Sequence, residues 1–154
     1  ENKDFIETEA VDPEINLNIS ALIPDSYITD TNQRYIAYRR CNCIDTEEGL
    51  LDFQDELRDR YGTIPLETIN LLKIMSLKQD FKKLKIAKLE QGPASLVFTF
   101  LDLTPVDPQK ILQFIKQSKN RARLTPDSKL IVTLPDDSSE DSLHSAKNII
   151  QALL

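Results

Sequence analysis

The side chains that could do chemistry here, by type and spacing, are two thiols (Cys41 and Cys43), one imidazole (His144) and an acidic run from Asp136 to Asp141. Cys41-Asn-Cys43 has half of a zinc spacing, but tetrahedral zinc takes four ligands, and the remaining soft donor, His144, lies about a hundred residues on. The pair therefore reads as two thiols near a helix end. His144 follows Leu143 in a helical pattern with no serine or cysteine nucleophile arranged beside it, so it reads as a surface or capping histidine. The acidic run lacks the alternating oxygen ligands and the bend glycine of a calcium loop. Serine caps followed by Glu140 and Asp141 in a first helical turn, where the helix dipole favours anions, account for it. No pair among the 25 acids stands out as a glycosidase couple. The expectation is a chain without catalytic residues, metal or cofactor.

Two charged surfaces remain. Lys73, Lys78, Lys82, Lys83, Lys85 and Lys88 gather on a third helix and the strand after it. To hold phosphates, that patch would have to prevail over a net charge of −6 without aromatics to stack bases, which favours a solvated flank. A DNA- or RNA polymerase-contacting module built on this lysine-rich third helix is the alternative reading. The second surface lies on a second helix. At about 100° per residue, Leu50, Phe53, Leu57 and Tyr61 form one stripe, while Asp52, Asp55, Glu56 and Asp59 gather opposite with Arg60 at the edge. Such a face is either solvated or an electronegative docking surface for a basic partner, because charge patterns set orientation and partner choice.

Composition bounds the possibilities. The chain has 154 residues, 17.6 kDa, with 40% hydrophobic and 29% charged side chains, which is one domain of globular composition. No run approaches the roughly 20 apolar residues of a membrane span. Three glycines (Gly49, Gly62 and Gly92) leave no phosphate loop and no dinucleotide fingerprint. The opening Glu1 and the run after it lack a signal peptide's basic start and apolar middle, so the sequence reads as a cytoplasmic piece of a longer chain. Asn18-Ile19-Ser20 spells a glycosylation acceptor that has no meaning without a secretory route.

The secondary structure follows from hydrophobic period and from the turn and cap residues. Residues 1–30 read as an extended arm with one short strand, whose Ile15, Leu17 and Ile19 need a partner surface, and residues 31–154 read as the domain. Asp30 with Gln33 opens a helix over about 31–42, and Asp45 with Glu48 opens the second over about 46–61, ending at Gly62 in a left-handed conformation. Pro65 sits in the first turn of the third helix, about 65–84, which is apolar over a wide arc. Then the period drops to two. Ile86–Glu90 and Leu96–Leu101 form a hairpin, and Asp107-Pro108 starts a helix that buries Ile111, Leu112, Phe114 and Ile115. Ala122–Thr125 and Leu130–Leu134 form a second hairpin, and a last helix after Ser139 buries Leu143, Ala146, Ile150 and Leu153. The predicted class is α+β, with a helical N-terminal half followed by two β-hairpin-plus-helix units forming a small antiparallel sheet.

An ordered series of motifs adds a resemblance. Leu22-Ile-Pro-Asp-Ser-Tyr-Ile-Thr-Asp30, Arg34, Tyr38-Arg-Arg40, Glu56-Leu-Arg-Asp-Arg-Tyr-Gly62, Pro65 and the Leu84–Glu90 segment closely resemble the C-terminal domain of bacterial transcription-repair coupling factors (Mfd). The series spans residues 22–90. The resemblance implies a parent that is an ATP-driven DNA translocase working with RNA polymerase, DNA and UvrA, with residues 1–30 leading in from its translocase module. It implies a non-catalytic, autoinhibitory domain that folds back on the N-terminal UvrB-like module of the same chain and covers the surface that recruits UvrA. Motif matching puts Glu56, Asp59 and Arg60 in that contact, with no direct nucleic-acid contact and no membrane. Tyr38, Arg39 and Arg40 match too, and read as structural, joining the first helix to its neighbours.

Overall fold

A computed structural model describes residues 12–101, 106–119, 121–134 and 142–154. The acidic run at 136–141, and the expectation that it caps the last helix, lie outside the described residues. The chain divides into a helical unit, Ile19–Gln79, and a sheet unit made of the described residues up to Asn18 and from Asp80 on.

In the helical unit, α1 (Thr31–Cys43) starts at the expected place, where the Asp30 carboxylate accepts from the Asn32 N–H at 2.9 Å. Helix α2 (Glu47–Tyr61) starts one residue later than predicted. Thr46, not Asp45, is its cap: it is extended, and its hydroxyl oxygen accepts from the Gly49 N–H at 3.0 Å. Helix α3 runs over Leu66–Leu84 and takes in the first residues of the sheet unit in its last turns. Pro65 stands just before it rather than in its first turn, because the Pro65 carbonyl accepts from both Thr68 and Ile69 N–H at 3.0 Å.

Ile23, Ile28, Ala37, Cys41, Leu50, Phe53, Leu57, Ile64, Leu71, Leu72 and Met75 form the core of this unit. The segment before α1 is tied into it. The Leu22 N–H donates to the Glu67 carbonyl (3.1 Å), the Thr68 hydroxyl to the Leu22 carbonyl (3.0 Å) and the Ile23 N–H to the Tyr38 hydroxyl oxygen (2.7 Å). These bonds satisfy backbone groups that burial would otherwise leave without water.

In the sheet unit, five strands lie in the order β1-β2-β3-β5-β4: β1 (Glu14–Asn16), β2 (Ile86–Gln91), β3 (Ser95–Phe100), β4 (Ala122–Leu124) and β5 (Lys129–Thr133). The two predicted hairpins are present, each followed by a helix, α4 (Pro108–Gln117) and α5 (Ser142–Leu153). The expectation of an antiparallel sheet fails at one edge. Strand β1 pairs parallel with β2, Ile15 opposite Leu89, so the sheet is mixed. A strand separated from its partner by three helices is free of the hairpin constraint that forces antiparallel pairing.

Alternation along β3 and β5 buries Leu96, Phe98 and Leu130 completely, whereas in β2 a register shift between Ile86 and Lys88 lets Ile86 and Leu89, three residues apart, both be completely buried. Phe81 meets Phe98 edge-on with centroids 6.1 Å apart. On α5, Leu143, Ala146, Ile150 and Leu153 are buried as predicted, with Ile149 beside them. On α4, Ile111 is buried and Phe114 and Ile115 are partly so, but Leu112 is 53% exposed. It stands about 100° round the helix from Ile111, at the margin of the stripe.

Candidate docking site

Helix α2 owes its fixed orientation to Leu50, Phe53 and Leu57, all buried, and to Tyr61, half-buried. This is the stripe expected from the spacing. Asp52, Asp55 and Asp59 are exposed on the far side and Glu56 is half-buried. Gly62 ends the helix with φ 89° and ψ −159°, a region essentially closed to side chains and distinct from the left-handed conformation predicted. Its N–H still reaches the Arg58 carbonyl at 3.0 Å. The Tyr27 hydroxyl, against the Tyr61 ring, donates toward the Leu57 carbonyl (3.1 Å) and the Gly62 carbonyl (2.9 Å).

The charges on this face are less uniform than the sequence suggests. Arg40, from the last turn of α1, grips Glu56 with both terminal nitrogens, Nη1 to Oε2 at 2.6 Å and Nη2 to Oε1 at 2.7 Å. Its guanidinium lies 5.2 Å from the centre of the buried Phe53 ring. Arg60 approaches the same carboxylate at 3.5 Å and rests 5.2 Å from the Tyr61 ring centre. The hydrogen bonds from Arg40 hold the Glu56 carboxyl below its ordinary value, against the opposing effect of burial. Asp55 pairs with Arg58 at 3.1 Å. Among the described residues Asp52 and Asp59 enter no ion pair, so the free negative charge of the face resides on them.

Glu56, Asp59 and Arg60 thus share one exposed stretch of α2 but differ in state: Glu56 is held within the domain, Arg60 is shared, and Asp59 is open. Sequence reasoning missed Arg40 as part of this constellation. The signal available was a basic side chain in the last turn of α1, followed by a short connection that brings α2 back beside it. Tyr38 and Arg40 do join the first helix to its neighbours, through the Ile23 N–H and Glu56, while Arg39 stacks on Tyr35 of its own helix at 5.8 Å.

Cys41 is buried and Cys43 exposed, both as free thiols, and burial pushes Cys41 up to about 11. One ligand pointing into a core and one into solvent do not converge on an ion, and no cluster of three or more His, Cys, Asp or Glu suited to a metal occurs among the described residues. His144 is exposed, its Nε2 3.2 Å from the Asn148 amide. Lys73, Lys82, Lys83 and Lys85 are exposed, whereas Lys78 and Lys88 are half-buried and Lys88 pairs with Glu90 at 3.2 Å. At about 100° per residue, Lys73 and Lys82 point to opposite sides of α3, so the lysines do not form one phosphate-tracking row. In the sheet unit a groove of about 430 Å³ lies between the end of α4, β5 and α5, and none of the predicted contact residues lines it. No helix among the described residues is long and apolar enough to cross a membrane.

The model of the TRCF domain family matches residues 17–111. The chain is 35% identical over 144 residues to the transcription-repair-coupling factor of Myxococcus xanthus, covering 93% of this chain and 12% of that protein. It is 36% identical over 126 residues to that of Rickettsia prowazekii (strain Madrid E), covering 80% and 11%. For that of Escherichia coli (strain K12) the identity is 32% over 117 residues, covering 76% and 10%. The chain therefore spans about a tenth of the length of these curated relatives. The fold is similar to that in a crystal structure of the C-terminal domain of a transcription-repair coupling factor, with a TM-score of 0.80 and 22% identity, covering 93% of this chain and 92% of that one.

Proposed function

From the premise that this chain belongs to the TRCF family, as the C-terminal domain of a transcription-repair coupling factor, we propose that it is a non-catalytic regulatory domain of a cytoplasmic DNA translocase. It folds back on the N-terminal UvrB-like module of its own parent and masks the surface that recruits UvrA. The preceding translocase module joins it through the segment 1–30, whose Glu14–Asn16 already form a strand of this domain's sheet and whose Ile23 and Ile28 lie in its helical core. ATP hydrolysis, DNA and RNA polymerase belong to the rest of the parent.

The observation that carries this reading is the face of α2. Its buried stripe fixes the helix, while Asp59, with no cation of its own among the described residues, stands exposed beside Arg60 and about one turn from Glu56. Charge patterns of this kind select a partner and its orientation. A masking contact must also be reversible. Holding the closed state at about 99:1 takes roughly 2.7 kcal/mol, half of the full reversal of such a switch. Exposed ion pairs contribute about 0–1 kcal/mol each, so apolar contacts share the load.

Glu56 and Asp59 are therefore expected to matter measurably without carrying the whole contact. In the intact parent, the E56A/D59A double variant should capture more UvrA than wild type while keeping its fold by circular dichroism. Capture no better than wild type counts against the mask. Salt-dependent retention of DNA by this chain, lost when Lys82 and Lys83 are replaced, would instead support the lysine-bearing helix as a DNA-contacting element.

A further inference from the structure

We infer that Arg40, on α1, is a positioning residue of the α2 docking face: it holds the Glu56 carboxylate, and through it the Arg60 guanidinium, in the arrangement a partner meets. This deepens the masking role proposed above and rests on it. Five side chains form a continuous series, the Phe53 ring, the Arg40 guanidinium, the Glu56 carboxylate, the Arg60 guanidinium and the Tyr61 ring. The successive separations are 5.2 Å from ring centre to guanidinium, 2.6 and 2.7 Å across the fork, 3.5 Å, and 5.2 Å to the second ring centre.

Both ends are anchored. Phe53 is buried in the core, and Tyr61 lies against Tyr27, whose hydroxyl grips the end of the helix. A planar fork on a carboxylate fixes direction as well as distance, which a lysine at the same place would not do. Both Glu56 oxygens are already engaged within the domain, so Glu56 acts mainly by orienting Arg60, which keeps unused N–H donors. A carboxylate on the partner is the group those donors fit, next to a cation facing Asp59. Fixing long side chains before contact removes part of the ordering cost of association.

The test is a double-mutant cycle in the full-length parent, reading UvrA capture, with the melting temperature of each variant recorded alongside. E56A should raise capture, R40A should raise it by a similar factor, about three- to fivefold for an exposed charged pair, and the double variant should match either single one. R40K, which keeps the charge and loses the fork, should recover only part of the wild-type masking. A merely structural Arg40 would lower the melting temperature in both backgrounds without this coupling. Additive effects of R40A and E56A, full rescue by R40K, or tighter masking by R40A would overturn the inference. If E56A and D59A leave capture unchanged, it is the masking role itself that fails.

Discussion

Two thiols two residues apart on α1 meet opposite environments. Cys41 is 1% exposed and its thiol is pushed from 9.0 up to about 11, burial outweighing the favourable charge of Lys78. Only a thiolate reacts readily, so Cys41 is inert in the folded state while Cys43 is open to solvent. At pH 8 a thiol-reactive dye should label one site quickly and the second only on unfolding, with the first mapped to Cys43 by peptide mass. The sign of the linkage is also fixed. A folded value above the unfolded one means that the unfolded chain releases this proton first as pH rises through 9.0, so stability falls between 9.0 and about 11. The C41A variant, compared with wild type by chemical denaturation across that range, should lack this part of the decline.

Helix ends were more legible than their details, because a cap depends on a side chain and an end on backbone geometry. Asp30 and Asp107 were readable as caps from their positions before helical runs, and both accept the expected N–H at 2.9 Å. Asp45 and Thr46 are adjacent cap-forming residues, and only the extended backbone at Thr46 decides between them. The stripe of α2 was legible for the same reason as the caps, since it is written in local spacing. The Arg40 fork joins residues sixteen apart on two helices, and no local period announces it. Gly62 offers a test at this scale. An added Cβ would meet nothing within 4 Å, so any cost of G62A comes from its φ of 89° and not from crowding. The loss should be about 1–3 kcal/mol, read as a lowered denaturation midpoint with an unchanged slope.

Across the whole molecule, the two hairpins and their helices follow from a change of period that a single sequence displays, and both are present. The parallel pairing of β1 with β2 was hidden, because it joins segments more than seventy residues apart and neither carries a mark of the other. The completely buried face of β2, β3 and β5 is where the sheet unit concentrates its stability. Replacing Phe98, which fills that face and meets Phe81, should cost about 3–5 kcal/mol. Hydrogen exchange on F98A should show protection lost first along β2, β3 and β5. Retention of wild-type protection there would mean that the core reorganises around the gap.

Among the described residues the outermost strands of the sheet, β1 and β4, are each three residues long. An unpaired strand edge invites another chain to add to it, and so short a template offers too few rungs to retain one. Concentrated samples should accordingly resist fibrillar self-assembly, and lengthening β1 or β4 with alternating valine and threonine would be the way to abolish that resistance.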